Sequence, residues 1–277
     1  CPGHLLYNND RNCVCEKCIG RGKSACIKDK CIHSSKVKSI IGVIEARFYK
    51  LKGTYKKVDR FISPSNFLYS KLVADNKALF ENRTTVIHNF VNKKSLPEEI
   101  KNNFGFPYIA FAGRLSPEKG TRILKDAASL LPDTQFVVMG GGPDEKMLSD
   151  IPNIHLTGFV TGKTLDENIA GAKAVAVPSV CFENCPMAIL EGQQLAVPSV
   201  TMNMGGMAEL VEDGKTGVLS KAVTAESFAA AIKDILSDET RLEKMKENCL
   251  ENAKTFLDID SYCKKLLEIY SEVINNG

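Results

Sequence analysis

The sequence predicts an α/β fold in which helices cover a parallel β-sheet. After residue 95, short apolar runs alternate with segments whose apolar residues recur every three or four positions, which is typical of βαβ units. The apolar runs contain few alternating polar residues, as expected for strands buried on both faces. The predicted strands are Tyr108–Ala112, Gln135–Met139, Asn153–Leu156, Ala174–Val177 and Pro198–Thr201.

Helices are predicted between these strands, and the chain is predicted to become helical after Gly217. In each helical segment the apolar residues fall on one face at three- and four-residue spacing. The predicted helices are Lys119–Leu131, Asp144–Ser149, Leu165–Ala172, Pro186–Ala196, Ala225–Leu236, Glu239–Ala253 and Ile259–Val273.

The first third of the chain has a different pattern. Residues 1–34 are rich in Cys, Gly, Asn and Lys and are predicted to be loop-like. The predicted elements after them are an amphipathic helix over Lys36–Lys52, a strand over Arg60–Ser63, a helix over Ser65–Asp75 capped by Ser63 or Ser65, and a strand over Thr84–His88. The polar connector Asn92–Asn103 that follows is the predicted domain boundary.

Composition and charge narrow the class of protein. The 277 residues are 44% hydrophobic and 25% charged, as in globular proteins, which excludes a disordered or fibrous chain. Residues 1–95 contain 19 Lys and Arg against 7 Asp and Glu, whereas residues 96–277 contain 17 against 26. Six of the ten cysteines lie in the first 31 residues. These shifts predict a basic, cysteine-bearing front section and an acidic back section.

One candidate ligand-binding motif is Phe111–Gly120, at the carboxyl end of the first predicted strand of the back section. Ligands of open α/β sheets bind outside the carboxyl ends of the strands. Arg114 and Lys119 supply two cations near a helix start, which suits a diphosphate. The alternative is an ordinary loop with two solvated cations.

Two further glycine-rich segments are weaker signals by themselves. Gly140–Pro143 follows the second predicted strand but matches neither a dinucleotide-binding nor a P-loop pattern, so a tight turn is the simpler interpretation. Met204–Gly217 combines a glycine-rich turn, a helix and a second turn, and by itself this segment favours a purely structural role.

The segment Glu183–Gly192 contains two glutamates separated by seven residues. Pro186 fits the first helical position, so the amides of Met187 and Ala188 are expected to point out of the helix start as an anion site. Glu183 and Glu191 are therefore expected to hold opposite ends of one extended ligand. A surface helix with solvated carboxylates is the structural alternative.

Together these segments resemble the family 4 retaining glycosyltransferases, whose GT-B fold has two facing Rossmann-like domains. The resemblance covers much of the chain, in the segments Phe61–Ser65, Val86–Val91, Gly113–Gly120, Leu156–Val160 and Pro178–Gly217. It implies one complete Rossmann-like C-terminal domain and the tail of an N-terminal Rossmann-like domain. The expected boundaries are 1–95, 96–255 for donor binding, and 256–277 as a helix crossing back to the first domain.

The resemblance also implies roles for individual residues. Arg114 and Lys119 would bind the donor diphosphate, Glu183 would contact the transferred sugar, and Glu191 would hold the nucleotide ribose. The other donor contacts that it implies are Gly113, Gly141, Gly158, Phe159, Val160, Asn184, Cys185, Pro186, Met187 and Ala188.

The implied mechanism is attack of an acceptor hydroxyl on the anomeric carbon from the face that the nucleotide leaves, with retention and without a catalytic metal. The cations and the helix dipole would stabilise the departing diphosphate. The family also has a histidine near the sugar, in a stretch that often directly precedes a Cys-Pro pair like Cys1-Pro2. Since the chain starts at Cys1, this residue is expected upstream, and His4 does not inherit its role. An inactive chain is therefore one alternative that the sequence leaves open.

The cysteines of the front section have three possible roles. One Cys-x-x-Cys pair suits half of a structural zinc site, and the usual second pair is missing. The resemblance points to Cys1, Cys15, Cys18 and Cys31 as the four ligands of such a site. Reduced thiols are the alternative, and disulfides are least favoured because nothing in the sequence indicates secretion.

The basic front section suggests a macromolecular or lipid partner. Nucleic acid is not favoured, because Lys36–Lys57 has only Phe48, Tyr49 and Tyr55 as stacking positions. An anionic membrane that carries a lipid-linked acceptor fits the charge better. A solvated helix face is the simplest alternative.

The predicted function is transfer of a sugar from a UDP- or GDP-sugar to a glycan or lipid-linked acceptor, in cell-surface polysaccharide synthesis. The expected location is the cytoplasm, peripheral to the inner face of the plasma membrane. One alternative is a nucleotide-sugar-binding domain without turnover. A nicotinamide-dependent oxidoreductase is disfavoured, since Gly-x-Gly-x-x-Gly with a downstream acid is missing.

Overall fold

The computed structural model describes residues 6–8, 11–20, 22–94, 96 and 102–276. The chain divides into two compact units. The first contains the described residues up to Phe90 together with those from Ile259 onward, and the second contains those of Val91–Asp258. None of the described helices is both long and apolar enough to cross a bilayer.

The described part of the first unit contains short paired strands and helices of very different length. Strands β1 and β2 form an antiparallel pair, and β3 and β4 pair in parallel. The strands are β1 (Tyr7–Asn8), β2 (Cys13–Val14), β3 (Phe61–Ser63) and β4 (Thr84–Val86). The helices are α1 (Ser24–Lys28), α2 (Lys36–Leu51), α3 (Asn66–Asp75) and α4 (Lys77–Phe80).

The second unit is built on a six-stranded sheet with helices between its strands. Its strands are β5 (Tyr108–Ala112), β6 (Gln135–Met139), β7 (Ile154–Gly158), β8 (Ala174–Val177), β9 (Ser199–Met202) and β10 (Gly217–Ser220). Its helices are α5 (Thr121–Leu130), α6 (Glu145–Ser149), α7 (Gly162–Ala170), α8 (Met187–Gln194), α9 (Met207–Leu210), α10 (Ala225–Leu236) and α11 (Glu239–Ala253). The final helix, α12 (Ile259–Asn276), belongs to the first unit.

The sheet of the second unit is parallel throughout and has the order β10-β9-β8-β5-β6-β7. Its strands are mostly buried, and large side chains such as Tyr108 and Phe136 lie in the same core as Leu124 of α5 and Phe228 of α10. Strands β6 and β7 follow β5 on one side of the sheet, and β8, β9 and β10 are then added on the other side of β5. The order therefore reverses between β5 and β8, which is where open α/β sheets bind ligands.

Several predicted elements of the second unit are confirmed with the same bounds, among them β5, β6, β8, α10 and α11. The helices predicted after Gly217 are confirmed, but the strand β10 at Gly217–Ser220 was not predicted. Strand β10 pairs with β9, and a Cβ on Gly217 would lie 2.1 Å from the carbonyl oxygen of Ser199. This short strand therefore depends on a distant partner and on the absence of a side chain.

The loop-like prediction for residues 1–34 is wrong for part of its described residues, which contain β1, β2 and α1. Cys18, Cys26 and Cys31 are buried there with Val43 of α2. Burial is the main cause that raises the pKa of Cys26, and it raises the pKa of Cys31 to about 12. These thiols are therefore protonated near neutral pH and pack as small apolar groups.

The predicted zinc site does not form among the described residues. No group of three or more metal-ligating side chains is found there, so Cys15, Cys18 and Cys31 do not assemble as ligands. Cys1 lies outside the described residues. The Cys-x-x-Cys spacing is not specific for zinc, because the same spacing also occurs where two thiols have different environments. Here Cys18 is buried in a small core, and Cys15 is half-buried.

Helix α2 confirms the predicted helix but shows an unusual orientation. Its buried residues are Ser39 and Val43, and Ser35 caps its start by accepting a hydrogen bond from the Lys38 amide. The predicted apolar face points away from these two residues and is exposed. It consists of Val37, Ile40, Ile41, Ile44, Phe48 and Leu51. The apolar periodicity thus identified the helix but not the side by which it packs.

Candidate functional site

The loops that follow β5 and β8 are held against each other at the point where the strand order reverses. Gly120, between the first loop and α5, has φ +73°, and a Cβ there would lie 1.9 Å from the carbonyl oxygen of Pro178. The Val180 amide donates a hydrogen bond of 3.0 Å to the carbonyl oxygen of Glu118. Residue 120 must therefore be glycine for this contact, and the two loops form one surface.

Lys119 and Glu183 form an ion pair across these two loops. The Lys119 Nζ lies 2.6 Å from Glu183 Oε1, although the residues are 64 positions apart in the chain. The Ser179 hydroxyl donates a second hydrogen bond, of 2.8 Å, to the same oxygen. The Glu183 side chain is only 14% exposed. Two donors therefore fix a carboxylate at the carboxyl end of β8, next to a cation from the β5 loop.

Gly113 and Arg114 lie in the same β5 loop and are exposed. An added Cβ on Gly113 would meet only the ring of Phe111, at 3.8 Å, so the backbone is approachable from outside. The Arg114 guanidinium and the Lys119 ammonium thus belong to one loop of seven residues, Gly113–Lys119. Such a loop can present a planar donor and a point charge to a phosphate group.

Helix α8 begins at Met187 rather than at Pro186, so the predicted position of Pro186 is wrong by one residue. Pro186 is the N-cap, because its φ of −68° and ψ of 122° are extended rather than helical. The amides of Met187 and Ala188 lie in the first turn, where they lack partners within the helix. The anion site predicted at this helix start is therefore available with Met187 as the first helical residue.

The loop before α8 is supported by the glycines after β9. The Gly206 amide donates a hydrogen bond of 2.6 Å to the carbonyl oxygen of Glu183. A Cβ on Gly206 would lie only 1.7 Å from the carbonyl oxygen of Asn184. Cys181 and Cys185 are buried beneath this loop, and burial raises the pKa of Cys181 to about 12. The cysteines of the loop therefore pack, while its backbone and Glu183 face the site.

The loops after β6 and β7 reach the same edge of the sheet. The Leu115 amide donates to the carbonyl oxygen of Gly141 over 3.1 Å, and the Gly140 amide donates to that of Gly158 over 2.8 Å. Phe159 is 82% exposed, whereas Val160 packs against the core. The sequence-predicted residues Gly141, Gly158, Phe159 and Val160 are thus brought to the side of the sheet where the β5 loop ends.

Glu191 lies one turn inside α8 and is half-buried. Burial raises its pKa, the positive charge of Lys94 opposes that rise, and the negative charge of Asp166 adds to it. Lys94 Nζ lies 3.7 Å from Glu191 Oε2. Lys94 was missed by the sequence analysis, which assigned it to a polar connector; two adjacent lysines gave no signal that one of them is buried.

A family model gives independent information about the second unit. The model described as "Glycosyl transferases group 1" matches residues 92–256, which is more than half of the chain. The chain belongs to the group 1 glycosyltransferases. The predicted family is confirmed, and the matched range contains every donor-site residue that the sequence analysis named.

Curated relatives support this assignment. A GDP-mannose-dependent α-mannosyltransferase of Corynebacterium glutamicum is 30% identical over 167 residues, covering 60% of this chain and 40% of the relative. A UDP-Gal:α-D-GlcNAc-diphosphoundecaprenol α-1,3-galactosyltransferase of Escherichia coli is 28% identical over 204 residues. This match covers 67% of this chain and 51% of the relative. The chain thus spans about half the length of these group 1 relatives.

Solved structures of glycosyltransferases confirm the α/β fold of the GT-B type. Anabaena Alr3699/HepE, solved in complex with UDP and glucose, superposes with a TM-score of 0.67 at 22% identity. The match covers 77% of this chain and 63% of that one. At 22% identity this similarity supports only the fold of the present chain. The chemistry of the site depends on the residues of this chain itself.

Proposed function

We propose that this group 1 glycosyltransferase moves a sugar, with retention, from a UDP- or GDP-sugar to a glycan or lipid-linked acceptor in cell-surface polysaccharide synthesis. The observation that supports this best is the Lys119–Glu183 pair at the point where the strand order reverses, with Arg114 in the same loop. This pair supports the proposal because a cation that suits a diphosphate lies next to a fixed carboxylate that can accept a hydrogen bond from a sugar hydroxyl.

The diphosphate is the part of the donor on which negative charge develops as the sugar leaves. Arg114 can bind its oxygens with two parallel hydrogen bonds, and Lys119 adds a point charge. The amides at the start of α8 contribute the positive end of the helix dipole. The amides of α8 and the Lys119 ammonium, which is paired with Glu183, are held in place before the reaction. They would therefore stabilise the leaving group with little reorganisation, and no divalent cation is required for this step.

The nucleoside and the sugar bind on either side of the diphosphate in this proposal. Glu191 accepts hydrogen bonds from the ribose hydroxyls, and the loop at Gly158–Val160 frames the base, with Phe159 exposed beside it. Glu183 accepts hydrogen bonds from the transferred sugar. The acceptor hydroxyl then attacks the anomeric carbon from the face that the diphosphate leaves, and its proton passes to the departing phosphate oxygen.

Binding and transfer assays with UDP-, GDP- and ADP-sugars test this proposal. A bound donor raises the unfolding temperature by mass action, and one base is expected to give a clearly larger shift. Arg114→Ala is expected to remove the shift, whereas Arg122→Ala, an exposed arginine of α5, is the matched control. No shift with any nucleotide sugar contradicts the proposal. A shift without transfer to glycan or lipid-linked acceptors favours a binding domain without turnover.

We also propose that α2 contacts an anionic membrane, which would place the protein on the inner face of the plasma membrane. The exposed apolar face of α2 is bordered by basic residues on both sides, and Glu45 is the one acidic residue of the helix. The basic residues are Lys36, Lys38, Arg47, Lys50 and, at the C-cap, Lys52. An apolar stripe with basic borders is typical of helices that lie in the membrane interface.

Sedimentation with phosphatidylglycerol vesicles at low salt tests the membrane contact. We expect binding that is weakened by salt and absent with zwitterionic vesicles. Ile44→Glu is expected to reduce it strongly, while Val223→Glu, which changes an exposed valine of the second unit, leaves it unchanged. Binding that Ile44→Glu does not alter overturns the proposal. Conversion of a dimer to a monomer by Ile44→Glu would assign this face to a second copy instead.

A further inference from the structure

Lys94 links three segments of the second unit near Glu191. Its backbone amide donates a hydrogen bond of 3.0 Å to Gln194 Oε1 of α8, which fixes the segment along that helix. Its side chain is only 13% exposed and forms an ion pair with Asp166 of α7. The same Nζ lies 3.7 Å from Glu191 Oε2. One half-buried cation therefore serves a carboxylate on each of two helices.

We propose that Lys94 is a positioning residue that keeps the Glu191 carboxylate ionised and oriented for a nucleoside diol. This inference rests on the proposed role of Glu191 in holding the ribose. An ionised carboxylate can accept hydrogen bonds from both hydroxyls of a diol, whereas a protonated carboxyl has lost part of that capacity. The site needs the ionised form in a half-buried position, where a nearby cation favours it.

The surrounding charges show why a cation is needed at this place. Among the described residues, the charged groups that act on Glu191 are Asp166 from α7 and Lys94 from the segment that opens the second unit. On the other side of α8, the contact from α11 is neutral, since Asn252 donates to Gln193 Oε1. Without Lys94, this half-buried carboxylate would face the Asp166 carboxylate without the cation that now opposes it. Such a pair takes up a proton at a higher pH than an isolated carboxyl does.

Lys94 also connects the ribose-binding helix to the segment proposed to frame the base. Helix α7 begins at Gly162, two residues after Val160, and Asp166 lies in its second turn. The Lys94–Asp166 pair therefore ties α7, and with it the loop at Gly158–Val160, to the cation that faces Glu191 on α8. Lys94 is thus placed to set the spacing between the sites for base and ribose.

Calorimetric titration of the full chain with free UDP and GDP tests the inference. Lys94→Met is expected to weaken binding of the preferred nucleotide roughly tenfold at neutral pH, and Lys94→Arg to restore most of it. The matched control is Lys93→Met, which removes the neighbouring lysine, 82% exposed and paired with Asp258 over 2.9 Å. This control is expected to bind as the unchanged protein does.

The pH dependence separates an electrostatic role from a structural one. Protonation of Glu191 weakens binding as the pH falls through its pKa, which burial has already raised. Removal of Lys94 raises that pKa further, so the loss is expected to begin at a higher pH in Lys94→Met than in the unchanged protein. A parallel weakening at every pH between about 5 and 8 contradicts the inference.

A double mutant makes the outcomes distinct. In a Glu191→Gln background there is no carboxylate to ionise, so Lys94→Met is expected to have little further effect on affinity. If the full tenfold effect persists there, Lys94 acts only through the fold and the inference is wrong. If the unchanged protein binds nucleotide and Lys94→Met binds it equally well, the inference fails while the proposed function stands. If no nucleotide binds to the unchanged protein, both fail.

Discussion

The sheet of the second unit and the α1–α2 region of the first unit use their apolar residues in opposite ways. In the sheet, apolar runs such as Phe136–Met139 are buried among helices on both faces. In α2, most of the large apolar side chains are exposed, and the buried residues are Ser39 and Val43. Val43 packs with buried cysteines. The difference shows that an apolar pattern identifies an element, while its burial depends on what lies next to it.

The largest expected effect concerns the ion pair at the edge of the sheet. Lys119→Ala or Glu183→Gln should lower the rate of sugar transfer about a hundredfold, because each substitution removes a preorganised charge. The measurement is the steady-state rate with the preferred donor. Lys125→Ala, which removes a partly exposed lysine of α5 paired with Asp126, is the control and should keep its rate. Equal rates for all variants would show that this pair is not part of the site.

A smaller effect is expected from the close backbone approach beneath the site. Gly206→Ala places a Cβ against the carbonyl oxygen of Asn184, which is backbone and has no flexible end to move away. We expect a loss of roughly 2–3 kcal/mol in the free energy of unfolding, measured in urea. At Gly141 the nearest atom to an added Cβ is a glutamate oxygen at 3.9 Å, so Gly141→Ala should change stability little.

Adjacent residues of α2 test the orientation of this helix directly. Val43 is 2% exposed, so Val43→Ala removes buried methyl groups and should cost about 1–2 kcal/mol of stability. Ile44 is 62% exposed, so Ile44→Ala should stay within about 0.5 kcal/mol of the unchanged protein. Both values come from urea unfolding. The reverse order would mean that the apolar face of α2 is its packed side.

The smallest expected effect is on the reactivity of thiols. Cys26 and Cys31 are buried and their pKa values are raised, so they hold few thiolates at neutral pH. Cys13 and Cys263 are exposed. Brief alkylation with iodoacetamide followed by peptide mass mapping should label the exposed pair first. Labelling of Cys31 as fast as Cys263 would contradict the packed thiol core.

Prediction from sequence succeeded where the signal was local. Strands β5, β6 and β8 have the predicted bounds because each is a continuous apolar run, which has few alternatives to a doubly buried strand. Strand β10 was missed because its four residues become a strand only through pairing with β9. Likewise, Pro186 was assigned to the helix because its φ suits a first turn, while its ψ is decided by the loop that Gly206 supports.

The candidate site shows the same division. Arg114, Lys119, Glu183 and Glu191 could be chosen from the sequence, because each stands in a short motif next to a strand or helix end. That Lys119 pairs with Glu183 could not, since the contact joins residues 64 positions apart. Lys94 gave no signal at all, because its role depends on burial beside two carboxylates from distant helices.

By itself, the sequence determined the class of fold and the family, and it supplied the candidate residues for the proposed site. These properties are encoded in short segments, where periodicity and spacing act over a few residues. Only the tertiary structure decided which lysine faces which carboxylate, that three cysteines pack as a small core, and which side of α2 is exposed. Burial and charge pairing are sums over neighbours that the chain brings together from far apart, so no local pattern can specify them.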